Sequence, residues 1–249
     1  MRRMSIVLLR DFRELRQTNA FRIMIIIAGV ITVAAAAVIS IVLGRQAWLG
    51  EADAGPWLEL IIGLVAYFLP LIVLMSFIWA FASLPIIKEK VNGNIECLLA
   101  TPLSPKALWM GKSLAVFLPG FCISVIVTLV VVLAVNLITI HPATGYFVLP
   151  APALVAGLLI NPLLFFGLLA FIVLFSLANN PDIAIAPSFI IGFGLMMGLP
   201  IGIATGAIDL ASWTFALCYL GAAVVAWAVV FYLSRLLTKE KVVLSSKGG

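Results

Sequence analysis

The sequence predicts an all-α integral membrane protein: six transmembrane helices, an N-terminal interfacial amphipathic helix, and one short cytoplasmic helix between spans two and three. Three observations carry that prediction. Of 249 residues, 64% are hydrophobic and only 10% charged, at a mean hydropathy of +1.26, more apolar surface than a soluble domain can hide. Six apolar runs reach the roughly 20 residues that a helix needs to cross a bilayer. They are Ile23 to Leu43, Leu58 to Ile87, Leu114 to Ile138, Ala153 to Ala178, Ile183 to Ile203 and Leu210 to Leu233. None shows the period-two alternation of a barrel strand, so the spans are helices.

Residues 1–20 precede the first span. Met4, Leu8, Phe12 and Leu15 recur at helical spacing, with Arg10, Arg13, Glu14 and Gln17 on the other face. That pattern suits an amphipathic helix lying in the headgroup layer. The first apolar run is too long for the h-region of a signal peptide and is read as a retained span.

Basic residues fix the orientation. Arg2, Arg3, Arg10, Arg13, Arg16 and Arg22 precede span one. Lys88, Lys90, Lys106 and Lys112 separate spans two and three, and Arg235, Lys239, Lys241 and Lys247 follow span six. The opposite side carries only Arg45, among Glu51, Asp53 and Glu59. Both termini and the Lys88 loop are therefore expected in the cytoplasm, with the chain in the cytoplasmic membrane. The net charge of +5 follows from this asymmetry and calls for no nucleic acid.

Span two is long enough to tilt or to continue beyond the bilayer, with a kink expected at Pro70. Asn92-Gly93-Asn94 then breaks the helix. Asn94 can cap a new short helix, with Glu96 near its N-terminal dipole. Thr101-Pro102 ends that helix after Ala100. Ser104 and Pro105 read as N-cap and N1 of the helix leading through Trp109 and Lys112 into span three.

The outer loops, Gly44 to Trp57 and His141 to Pro152, are too short for a capture domain, and His141 reads as a loop residue. In span five, Gly194, Gly198, Gly202 and Gly206 recur every fourth residue. Such a stripe admits a close helix, either within the subunit or at a dimer seam or gate. Pro200 is expected to interrupt this span and leave a short re-entrant piece before Asp209. Cys97, Cys122 and Cys218 read as small buried hydrophobes, without metal spacing or a disulfide framework.

Catalytic and ion-coupling chemistry finds no residues to work with. Gly111-Lys112-Ser113 resembles the end of a phosphate-binding loop, but Lys106 stands where its first glycine is required and no strand precedes it. The span interiors contain essentially no ionisable residue, against the pattern of proton- or sodium-coupled transport. Asn136 and Asn161 are the conspicuous interior polar residues, Asn161 lying where it can satisfy backbone freed by Pro162. Clustered acids, paired aspartates and a Ser/His pair are all absent.

What remains is a membrane body bearing one polar docking element. The run from Glu89 and Lys90 through Val91, Asn92, Gly93, Asn94, Ile95, Glu96, Cys97, Leu98, Leu99, Ala100, Thr101, Pro102 and Leu103 to Ser104 continues to Gly111-Lys112. It resembles the first cytoplasmic loop of ABC-2-type transporter permeases. Val91 stands where a charged residue is usual, and Asn94 where threonine is usual. Arg13-Glu14-Leu15-Arg16 ahead of an apolar span also fits that family. The resemblance implies a single ABC-2-type transmembrane domain, the permease subunit of an ATP-binding-cassette exporter. Two permeases, as a homodimer or heterodimer, would pair with separate ATPase subunits that bind ATP and Mg. The permease itself would hold no cofactor or catalytic residue.

In that family the loop is a coupling helix seated in a groove on the ATPase. Leu98 and Leu99 would be its apolar anchor, and Glu89, Lys90 and Glu96 would select the partner. Gly93, Asn94, Thr101 and Pro102 would hold its ends, making it a rigid lever. Charge-free spans favour an apolar or amphipathic cargo over a bare ion. A stand-alone channel or scaffold is the alternative from another class, separable by whether an ATPase accompanies the chain.

Overall fold

A computed structural model describes residues 2–51, 54–81, 104–178, 181–235 and 237, with side chains at 5–49, 51, 54–81, 104–177, 189–235 and 237. Its elements are helical, with no strand among the described residues. They are α1 (Arg2–Gln17), α2 (Asn19–Gly44), α3 (Ala54–Phe81), α4 (Pro105–Val135), α5 (Asn161–Ala178), α6 (Pro181–Ala204) and α7 (Trp213–Ser234). A 3-10 turn, Ala47–Gly50, joins α2 towards α3. α4 runs on through a π-helical turn (Asn136–Ile140) and a last α-turn (His141–Thr144). α5 is approached through Ala151–Val155 and a second π-helical turn, Ala156–Ile160.

Five stretches are long and apolar enough to cross a membrane: Asn19–Gly44, Ala54–Phe81, Pro105–Thr144, Ala151–Leu177 and Trp213–Ser234. In α6 the described apolar part, Phe189–Ala204, is shorter. The arrangement is compatible with a multi-pass membrane protein. Two helices act as hubs. α4 packs against α1, α2, α3 and α5, while α5 packs against α3, α4, α6 and α7. The burial follows this layout: in the most apolar stretch of Ala151–Leu177, 67% is buried, against 6% in α2. Ile26, Val30, Val33 and Val38 of α2 are left exposed within one chain.

Local chemistry explains the boundaries. Thr18 caps α2, its Oγ1 accepting from the Phe21 N–H at 3.2 Å while donating to the Leu15 carbonyl at 2.7 Å. Ser104 caps α4 by accepting from the Ala107 N–H at 3.2 Å, with Pro105 next, as the sequence predicts. Ser212 caps α7 through the Thr214 N–H at 3.1 Å. Gly145, at φ 79°, ends the turn that follows α4.

Several expectations require correction. The loop expected over His141 to Pro152 is narrowed to residues 145–150, because the α4 helix continues to Thr144 and a new helix starts at Ala151. The shortened return is fixed by Asn136, whose Nδ2 donates to the Val148 carbonyl at 3.2 Å and whose Oδ1 accepts from the Val148 N–H at 2.8 Å. One amide side chain thus pairs with Val148 as a neighbouring strand would. Pro200 does not interrupt α6, which continues to Ala204; Gly206, at φ 72°, makes the turn before Asp209. Cys122 and Cys218 are exposed rather than buried, lying on faces of α4 and α7 that no other described helix covers. Cys97 lies outside the described residues.

α3 and the turn before α5 approach closely at Gly157. Pro70 lies inside α3 and has no N–H, so the Ala66 carbonyl lacks its usual helical donor. That carbonyl faces Gly157, where an added Cβ would stand 1.9 Å from the oxygen. One turn along, Asn161 Nδ2 donates to the next carbonyl, that of Tyr67, at 3.0 Å. Asn161 therefore serves the backbone of α3, not the backbone freed by Pro162. Replacing Gly157 with alanine should lower stability in detergent by about 3 kcal/mol or more, as overpacking does. Gly194→Ala, where nothing lies within 4 Å, should stay within about 1 kcal/mol of wild type. Equal thermal unfolding of the two variants would remove the close contact from the account.

Candidate functional site

The described residues closest to the expected docking loop are those of α4 just after Ser104. This end of the bundle also holds α1, the start of α2 and the C-terminal turns of α3 and α5. Leu108, Trp109, Gly111, Lys112 and Ser113 are all buried there. Trp109 Nε1 donates to the Ala170 carbonyl of α5 at 2.7 Å, and Ser113 Oγ donates to the Trp109 carbonyl at 2.9 Å. Phe21 of α2 meets Phe77 and Phe81 of α3 with ring centroids 6.3 and 6.4 Å apart.

At the centre of this end, Lys112 Nζ donates to Asp11 Oδ2 at 3.1 Å, with side chains only 2% and 8% exposed. These are the only buried charged residues among those described. Burying an ion pair has a large desolvation cost, so the pair is weak evidence of net stabilisation. Its effect is on register. Sliding α1 along α4 by a turn would separate the two charges.

The ion pair also changes the reading of α1. The expected stripe of Met4, Leu8, Phe12 and Leu15 is rotated: Val7, Asp11 and Leu15 are buried, while Leu8 and Phe12 are only half-buried. The side chain of Met4 lies outside those described. α1 turns Asp11 towards Lys112, while Arg10, Arg13, Glu14 and Gln17 remain exposed as expected. Arg10 Nε and Glu14 Oε1 pair on that exposed face at 3.1 Å. Asp11 was legible in principle, as the single charged residue in the i, i+4, i+8 series with Val7 and Leu15.

Beside the pair, where α1 turns into α2, Arg13, Arg16, Gln17, Phe21, Arg22 and Ile25 line a cavity of about 510 Å³. Deeper in the bundle, Tyr219 donates to Asn161 Oδ1, and the Tyr67 and Tyr219 rings lie 5.8 Å apart. The Tyr67 hydroxyl is buried with no hydrogen-bond partner. These aromatic groups were not singled out in the sequence, since nothing in an apolar span marks Tyr67 or Tyr219 as facing the interior.

The expected docking residues Glu89, Lys90, Gly93, Asn94, Glu96, Leu98, Leu99, Thr101 and Pro102 lie outside the described residues. Of the glycine stripe, Gly194 and Gly198 face open space within one chain. A Cβ on Gly202 would stand 2.5 Å from the Ile208 side chain, and Gly206 forms the left-handed turn. The four glycines thus serve different ends instead of one continuous seam within the subunit. Among the described residues no group of three or more His, Cys, Asp or Glu side chains is placed to hold a metal ion. Compared with protein-family models, curated proteins and solved structures, the chain matches none.

A double-mutant cycle tests the buried pair. Asp11→Leu and Lys112→Met should each lower stability, Lys112→Met by about 3–5 kcal/mol because it removes the cation that faces buried Asp11, and the double variant should lose less than the two single losses added together. Additive losses in detergent unfolding would show that the two charges do not depend on each other.

Proposed function

We propose that the chain is the membrane-spanning permease subunit of an ATP-binding-cassette exporter of the ABC-2 type, driven by a separate ATPase subunit. In this reading six helices span the cytoplasmic membrane, α6 being the fifth span, and both termini and the loop after α3 are cytoplasmic. Two such subunits associate, and ATP and Mg are held by the ATPases.

The observation that carries the reading joins sequence to geometry. The loop motif from Glu89 to Ser104 continues to a Gly-Lys pair, and Lys112 of that pair is the buried partner of Asp11. The Trp109 bond to the Ala170 carbonyl adds α5 to the same junction. A push delivered through the loop to the start of α4 would therefore meet a joined α1–α4–α5 unit, not a single fraying helix. Coupling needs such a connection if small movements at an ATPase are to shift whole helices. The described polar interior, where Asn136 bonds to backbone groups and Asn161 to the Tyr67 carbonyl and the Tyr219 hydroxyl, supports an amphipathic or apolar cargo over a bare ion.

Two experiments examine this. Cysteines at Ser104 and Ser245 should label from the cytoplasm only, and one at Asp53 from outside only; inverted labelling would refute the orientation. Leu98→Asp combined with Leu99→Asp should place unpaired carboxylates in the docking groove, at a penalty of several kcal/mol. ATPase retention in pull-downs should fall by orders of magnitude, while membrane insertion persists. Undiminished retention would overturn the coupling role.

A further inference from the structure

We propose that the cavity at the α1–α2 corner binds the phosphate headgroup of an anionic glycerophospholipid from the adjoining leaflet. This proposal is independent of the export reading. Three guanidinium groups, Arg13, Arg16 and Arg22, surround about 510 Å³ together with Gln17, above an apolar base of Phe21 and Ile25. Guanidinium forks match phosphate oxygens with paired N–H donors.

Neither helix offers these arginines a carboxylate. The acidic residues of α1 are Asp11 and Glu14, and α2 has none. Asp11 is paired with Lys112, and Glu14 with Arg10. The three arginines have no ion-pair partner among the described residues, which leaves their guanidinium groups available to an anion.

The site's position selects a lipid over a free anion. Arg22 is the last charge before the uncharged stretch from Ile23 through Gly44, so the cavity sits where headgroups give way to hydrocarbon. Below it, Ile25 and Ile26 are exposed, and a Cβ on Gly29, one turn beyond Ile25, would meet nothing within 4 Å. An acyl chain descending from a phosphate in the arginine cluster can lie along this face. A free phosphate would leave the apolar base uncovered. Basic groups at this depth favour anionic over zwitterionic lipid.

The test uses the full chain in dodecyl maltoside micelles, with phosphatidylglycerol or phosphatidylcholine added and bound lipid counted by native mass spectrometry. Phosphatidylglycerol should be retained at least about tenfold over phosphatidylcholine, a preference that shrinks as salt rises. The combination Arg13→Gln, Arg16→Gln and Arg22→Gln should bring the two lipids to parity, whereas Arg45→Gln at the opposite end should not. Equal retention of both lipids by the wild type, or an undiminished preference in the triple variant, would overturn the proposal. So would displacement of the lipid by an equal concentration of inorganic phosphate, since the acyl chain would then contribute nothing. Because three substitutions in one corner can disturb folding, the unaltered protein is also cross-linked in mixed vesicles of both lipids, using phosphatidylglycerol with a photoactivatable headgroup. Adducts are expected within residues 13–25; adducts confined to other segments would refute the site.

Discussion

Inside a bundle that excludes water, a polar atom has only protein to bond with, and this constraint shapes the described structure at every scale. Ser76, Ser113 and Thr128 return their hydroxyls to carbonyls of their own helices. The indoles of Trp109 and Trp227 reach carbonyls of α5. Asn136 closes the turn after α4, and Asn161 joins α3 to α7 by donating to the Tyr67 carbonyl and accepting from the Tyr219 hydroxyl. Asp11 and Lys112 neutralise one another. Among the described residues, Ser40 Oγ, Tyr67 OH, Trp79 Nε1 and Ser176 Oγ are buried without a hydrogen-bond partner. Where a hydrogen bond crosses from one helix to another, as at Trp109, Asn161, Trp227 and Asp11–Lys112, it also fixes the register between them.

Packing then divides the molecule unevenly. α3, α4 and α5 form the interior, where small residues let backbones approach, Gly157 against α3 being the extreme case. Aromatic contacts bind the outer helices: Trp79 stacks on Phe189 at 4.5 Å, and Phe166 meets Trp227 at 5.0 Å. α2 and α7 present wide apolar faces outward. In water such faces would be unstable. In a bilayer they have the same chemistry as the solvent.

The helices were legible from hydropathy because roughly 20 apolar residues in a row leave few alternatives. Caps were equally legible: Ser104 with Pro105 needs only local backbone geometry. The missed features depend on pairing between distant residues. Asp11 and Lys112 are 101 positions apart, as are many groups that decide a membrane core, and single-sequence periodicity carries no such information. Gly157 reads as one glycine among many until Pro70 supplies the carbonyl it must admit. Along the stripe from Gly194 to Gly206, regular spacing joins residues whose surroundings within one chain differ. The docking residues were read from motif alone and lie outside the described residues.

α1 is where the two proposals meet. One face of this helix is held to α4 through Asp11. Its C-terminal turn supplies Arg13, Arg16 and Gln17 to the cavity. A phosphate bridging Arg13 or Arg16 to Arg22 would tie α1 to α2 across the Thr18 corner. α4, held through Lys112, would then be connected to the headgroup layer by one short helix. In that arrangement the leaflet supplies a fixed plane against which the start of α4 can be displaced. A lever needs such a reference as much as it needs rigidity, and a bundle floating freely in hydrocarbon has none of its own.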